Sequence, residues 1–175
     1  MGAHFGLGGF AMKSPIDYDG LRTVSPTVFP TLQEAELGDI AFEMTSEGLK
    51  VYRFVQVDAA SAAVANGTAL VWKTVTSQKV TTVNTGLRNS PAGVGIGTIT
   101  VGNRGWIQIG GYHSAVKTNG DDDIALDCNI IMAGADGVVD SSASGTLSYR
   151  PFGVAVDVDD NDRNTVPVLL SLFGT

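Results

Sequence analysis

An all-β fold, either a barrel or a sandwich, is what this chain predicts, and three observations carry that reading. Twenty-two glycines are spread through 175 residues together with abundant Thr and Val, a mixture of turn formers and β-branched strand formers. Short apolar alternations of period two recur along most of the sequence. Between Ala92 and Gly111, AGVGIGTITVGNRGWIQIGG, glycines at 93, 95, 97, 102, 105, 110 and 111 punctuate β-prone runs, where tightly bent strands want them.

The elements follow in order. Residues 1–36 hold five glycines before residue 21, three prolines (Pro15, Pro26, Pro30) and no sustained periodicity. They predict an extended N-terminal arm. Its apolar members Phe5, Leu7, Phe10 and Met12 suit a segment that orders against a neighbouring subunit, with a flexible end as the alternative. Residues 37–175 read as a single β-domain. Ile40, Phe42 and Met44 alternate with Ala41 and Glu43. Leu49–Val57 is a long strand with Val51, Arg53, Val55 and Val57 on one face and Tyr52, Phe54 and Gln56 on the other. Apolar groups on both faces put it centrally in a sandwich or at a subunit contact.

Asp58–Ala65 is the one helical candidate, with Asp58 as cap, alanines to favour it and Asn66-Gly67 to end it; an irregular β-connection is the alternative. Strands are expected at Thr68–Thr76 and Gln78–Val83. A hairpin follows, made of Gly97–Val101 and Trp106–Ile109 around the turn Gly102-Asn103-Arg104-Gly105. Ile107 and Ile109 share a face, which leaves Trp106 and Gln108 opposite. Asn119-Gly120 is a further turn. Asn129–Ala133 and Val138–Asp140 flank Gly134-Ala135-Asp136-Gly137 as another hairpin. Near the end, Phe152, Val154, Val156 and Val158 share a face, Asp159–Asn164 turns, and Val166, Val168, Leu170 and Leu172 alternate with Pro167, Leu169 and Ser171. Pro167 cannot donate a ladder bond, so that strand has an edge side or a bulge there. About ten short strands make a barrel or sandwich.

The totals exclude several functions. A formal charge of −7 with eleven scattered cations disfavours nucleic acid, because phosphate contacts need clustered Lys and Arg. Cys128 is the single cysteine, so there is no disulfide framework within one chain. It reads as a small buried residue, and the chain suits folding in a reducing cytoplasm. With no run of about 18 apolar residues, no membrane partner is expected. The start MGAHFGLGGFAMK resembles no secretory signal, and Gly6 stands where myristoylation wants Ser or Thr.

No motif carries chemistry. The run Asp157–Asn164, DVDDNDRN, fails the calcium-loop spacing, with Asp162 at its sixth position and Val168 at its twelfth. It reads as a solvated turn, as does Asp121-Asp122-Asp123. Gly93-Val94-Gly95-Ile96-Gly97 lacks the third glycine of a dinucleotide motif, because Thr98 and Thr100 follow it. His4 and His113 cannot make a metal triad. Asn66-Gly67-Thr68 is better read as a turn than as a glycosylation acceptor. No catalytic residue, cofactor or metal site is assigned. Trp72, Trp106 and Tyr112 stand out as aromatics, for which a place in the core is the ordinary reading. If Ile107 and Ile109 face inward, Trp106 faces away from that core and becomes a candidate anchor for a subunit or partner. The expected interface residues are thus Phe5, Phe10, Trp106 and Tyr112.

The block Ala92–Gly97, then Gly102, Arg104-Gly105-Trp106-Ile107-Gln108-Ile109 and Gly111, resembles structural proteins of tailed bacteriophage heads. Asp136-Gly137-Val138-Val139, Pro151-Phe152-Gly153-Val154-Ala155 and the closing Val166–Leu172 strand continue the likeness across residues 38–175. In style it is similar to small capsid decoration, or cement, proteins. The resemblance implies a β-barrel or β-tulip-like sandwich with an extended N-terminal arm, present in many copies on the capsid surface of a virion assembled in the host cytoplasm. Its partners would be the major capsid protein and itself, most often as a homotrimer, with capsid stabilisation as the result. Two other readings compete. One is a carbohydrate- or receptor-binding β-module of a head fibre or tail, with a shallow aromatic and carboxylate site around Trp72 or Trp106. The other is an enzyme built on a carboxylate pair, which no histidine cluster supports.

Overall fold

The computed structural model describes residues 35–88, 90–120, 124–142, 149–158 and 164–172. Those residues form ten strands and no helix. They are β1 (Ile40–Thr45), β2 (Gly48–Val57), β3 (Ala69–Thr74), β4 (Lys79–Thr81), β5 (Pro91–Gly95), β6 (Arg104–Lys117), β7 (Asn129–Met132), β8 (Val139–Ser141), β9 (Gly153–Ala155) and β10 (Thr165–Ser171). The order across the sheet is β1-β2-β4-β3-β5-β6-β10-β9-β7-β8, and β2 also pairs with β6. That extra pairing closes β2, β4, β3, β5 and β6 into a ring. The all-β barrel-like prediction holds. The β2–β4 pairing is parallel and the other strand pairings are antiparallel. β1 flanks the ring on one side, and β10-β9-β7-β8 extend from the C-terminal half of β6.

The 14-residue β6 belongs to both parts. Its first half pairs with β2 and β5, and its second half pairs with β10. The switch falls at a bulge, where Val51 faces Gly110 and Tyr52 faces Gln108, so Ile109 is the extra residue. Gln108 secures the bend. Its buried Nε2 donates to the carbonyls of Gly110 (3.1 Å), Gly111 (3.3 Å) and Tyr112 (2.9 Å). A fully buried amide needs such partners to offset its lost hydration.

The two-faced β2 organises two hydrophobic layers. Val51, Val55 and Val57 join Leu70, Ile107, Met132, Phe152 and the inward side of β10 in the main core. On the other face, Tyr52 and Phe54 join Ala35, Ala41 and Trp106 in a smaller layer, with Leu37 and Ile96 packed against it. Val166, Val168, Leu170 and Leu172 are buried as their alternation predicts, and the register slips between Val166 and Val168, at Pro167. The β7–β8 hairpin also matches, turning at Gly137 with φ +75°.

Three local expectations are corrected. Asp58–Ala65 is not a helix but an irregular β-connection, the alternative reading of that segment. Asp58 Oδ1 accepts from the Ala60 N–H (3.0 Å), making a turn instead of capping a helix. The Ser61 hydroxyl is held by Thr82 (3.1 Å to Oγ1, 2.9 Å from N), and Val64 bridges Ile99. These tertiary bonds override the helix preference of a few alanines, which is marginal in so short a segment. Gly97–Val101 is not a strand either. The strand before the turn is Pro91–Gly95, and the turn closes earlier, from the Asn103 N–H to the Thr100 carbonyl (3.1 Å). Finally, Phe152, Val154, Val156 and Val158 do not share one environment: Phe152 is fully buried in the main core, while Val154 is half-buried and Val156 and Val158 are exposed. Gly153 and Ala155 are the buried residues of β9, and Gly153 lies so close to β10 that a Cβ there would sit 2.1 Å from the Leu169 carbonyl oxygen.

Candidate functional site

Of the residues expected at an interface, Phe5 and Phe10 lie outside the described residues. Trp106 and Tyr112 both stand on the outer side of β6, but in different surroundings. Trp106 is directly opposite Phe54, with ring centroids 5.2 Å apart at 54°, a favourable tilted pair. Only 3% of its surface is exposed, because Ala35, Leu37 and Ile96 close over this layer. Two hydrogen bonds pin that cover: the Gly38 N–H donates to the Phe54 carbonyl (2.8 Å), and the Phe54 N–H to that of Asp39 (2.9 Å). Trp106 therefore faces away from the main core, as expected, yet is buried within its own chain. Next to it the buried Tyr52 hydroxyl donates to Glu43 (2.7 Å). Burial first, then this carboxylate, pushes the Tyr52 pKa well above the phenol range.

Tyr112 is half-buried and opens an apolar row across three strands. It faces Leu169 on β10, and Leu169 faces Val154 on β9. Leu169 is 50% exposed. Its neighbours Val168 and Leu170 point into the core, so the row stands on the outer face of the sheet. Val156 is also exposed, and its N–H reaches the Pro167 carbonyl (3.0 Å). A row of opposed apolar side chains left to solvent on a sheet marks a contact surface more often than scattered single residues do. The sequence offered one clue to it: Leu169 is the large apolar residue on the outward parity of an otherwise regular strand.

Several polar side chains hold the fold together. Asn84 donates through Nδ2 to the carbonyls of Ala133 (2.7 Å) and Ala135 (2.9 Å). Arg88 donates to the Met132 carbonyl (2.8 and 3.1 Å) and stacks over Tyr149. Trp72 is buried in the main core beneath the Arg53 guanidinium, 5.6 Å from its ring centre. Neither tryptophan offers an open face for a sugar to stack on. Cys128 is half-buried. Among the described residues no three His, Cys, Asp or Glu side chains gather where an ion could be held. Asp121–Asp123 and Asp159–Asp162 lie outside those residues. An open groove of about 550 Å³ runs past Ser61, Thr68, Thr82, Lys117 and Asp136. Four of its polar groups are committed: Ser61 and Thr82 bond each other, Thr68 Oγ1 accepts from the Ala65 N–H (3.2 Å), and Asp136 accepts from the Asn84 N–H (3.0 Å).

His113 is the buried titratable group of β6. Its Nδ1 accepts from the Ala115 N–H (3.2 Å), which places the ring proton on Nε2, facing the Gly95 carbonyl at 3.4 Å. Burial lowers its pKa, with the Gly95 contact opposing. The unfolded chain therefore takes up the proton first, at about 6.5. The stabilisation is present above that pH and is lost as pH falls toward the depressed native value. The thermal midpoint is expected to drop between pH 7 and pH 5, with a smaller drop in His113→Gln. An equal drop in both would remove His113 as the cause.

No family model matches the chain, and no curated protein matches it. Among solved structures it is similar to the head fiber gp8.5 N base of bacteriophage phi29, at 16% identity and a TM-score of 0.47, over 70% of this chain and 94% of that one.

Proposed function

We propose that this chain is a non-catalytic structural protein of a tailed-phage head, a decoration protein that attaches to the outside of the capsid and stabilises the shell. The glycine-turn and strand pattern of residues 38–175 supports that reading. The observation that carries it is the row Tyr112–Leu169–Val154. It leaves apolar side chains outside on a rigid sheet, while His113, Asn84, Arg88, Tyr52 and Glu43 are engaged within the fold. The partners would be the major capsid protein and further copies of this chain. Many linked contacts of modest strength hold such a protein on a repeating surface, because each binding event raises the effective concentration for the next. The N-terminal residues would add to that attachment.

Co-sedimentation with capsids lacking this protein tests the proposal. The full chain is expected to pellet with the shells and raise their heat resistance. Leu169→Asp should weaken binding at least tenfold, since burying one unpaired carboxylate costs more than about 1.4 kcal/mol. Its thermal midpoint should stay near that of the parent, because Leu169 is half exposed. A chain that ignores every tailed-phage capsid offered to it would end this reading.

A further inference from the structure

The sheet has two ends, and they are built differently. β8 is three residues long, carries Asp140, and is bridged at Val139 by Thr118. Short length, charge and cover are the usual protections of a sheet edge. β1 has neither that shortness nor a bridging strand among the described residues. It runs six residues, IAFEMT, in unbroken register with β2 from Ile40 opposite Arg53 to Thr45 opposite Gly48. It contains no proline, lysine or bulge, and no described strand pairs with its outer side. Glu43 is its one charge, and that carboxylate is engaged with Tyr52.

The Phe54 N–H donates to the Asp39 carbonyl. By alternation, residues 41, 43 and 45 also address β2, while the N–H and C=O groups of Ile40, Phe42 and Met44 point outward. These same residues carry apolar side chains, with Ile40 39% and Met44 52% exposed. Leu49, opposite Met44 on β2, is exposed as well.

We infer that this edge pairs with the β1 strand of a second copy, antiparallel, about a twofold axis through Phe42. That register sets Phe42 opposite Phe42 and Ile40 opposite Met44, so the two exposed apolar residues of each strand cover those of the other. It also sets Glu43 opposite Ala41, which keeps the two carboxylates from facing each other across the axis. Shifting the axis to Glu43 would place like charges in direct opposition, which is destabilising. The pairing joins two sheets into one through backbone hydrogen bonds, a mode that exposed edges favour. A contact of six residues per chain falls below the roughly 1,200 Å² of a standard interface, so dissociation in the micromolar range is expected. A twofold pairing cannot sit inside a closed threefold ring, so this contact and a simple trimer are alternatives. The inference is independent of shell binding.

Sedimentation velocity on the full chain from about 1 to 100 μM tests it, as a span bracketing micromolar dissociation. The parent should pass from monomer to dimer. Met44→Pro removes an outward-pointing N–H that β2 does not use, and Met44→Lys sets a charge on the edge. Both should shift the midpoint of association at least tenfold upward while keeping the parent's circular dichroism spectrum. If Met44→Pro fails to fold, Met44→Lys alone decides. A parent that stays monomeric throughout, a trimer, or a dimer unmoved by Met44→Lys would each overturn the inference.

Discussion

Trp106→Ala is expected to lower stability by about 3–5 kcal/mol, the range for emptying a buried aromatic site. In a chain of this size that is a fall in thermal midpoint of roughly 2–4 °C for each kcal/mol. The size of the effect follows from position. Trp106 fills the outer layer of β2 and β6, under Ala35, Leu37 and Ile96, against Phe54. Removing the indole leaves a void that Tyr52 cannot fill without giving up its bond to Glu43. Trp106→Phe keeps an aromatic ring against Phe54 and should recover more than half of the loss. The pair also separates two roles for this residue. If Trp106 were a partner anchor, Trp106→Phe would fold normally but lose capsid binding. A residue buried in its own chain should instead change stability and leave binding by the folded fraction intact. Differential scanning calorimetry beside co-sedimentation reads both quantities. A midpoint within about 2 °C of the parent, less than the effect of one kcal/mol, would show that the layer over Trp106 is open in solution.

The residues whose structure was legible in the sequence are those whose neighbours on one sheet face decide it alone. Val166 to Leu172 alternate cleanly because one side of β10 meets the core and the other meets solvent. β2 could be read as two-faced because each side has its own apolar layer. The failures share a different cause. Asp58–Ala65 has helical composition, but its conformation is set by Thr82 and Ile99, which lie 21 residues or more away in the chain. Phe152, Val154, Val156 and Val158 alternate as if on one face, yet only Phe152 is fully buried, and the close approach of β10 leaves no room for a side chain at Gly153. The cover on Trp106 comes from Ala35, Leu37 and Ile96, single residues in segments without period, so no local pattern announces it. Strand order is hidden for the same reason. Alternation says which way a side chain points, but not which strand lies beside it. The open edge of β1 and the Tyr112–Leu169–Val154 row both depend on that order and become visible only once it is known.

A glycine series tests the seam that closes the ring. Gly111 has φ +83°, and a Cβ there would lie 2.1 Å from the Leu49 carbonyl oxygen and 3.1 Å from the Lys50 Cα. Both obstacles are backbone atoms of β2, so no side chain can swing aside. Gly111→Ala must either strain its own backbone or push β2 off β6, next to the bulge that Gln108 secures. The expected loss is about 3 kcal/mol or more, combining the left-handed conformation with the clash. Gly48, in the β1–β2 turn, has φ +108° and open space where a Cβ would stand. Gly48→Ala carries the conformational cost without the clash, about 1–2 kcal/mol. Gly134 has neither a left-handed backbone nor a close neighbour, and Gly134→Ala should be neutral or slightly stabilising, because alanine has less freedom to lose on folding. Urea unfolding of the three variants separates the contributions, and the difference between Gly111→Ala and Gly48→Ala isolates the approach of β2 to β6. If those two variants lose the same amount, β2 and β6 are not in tight contact at this seam, and the ring of five strands is open there.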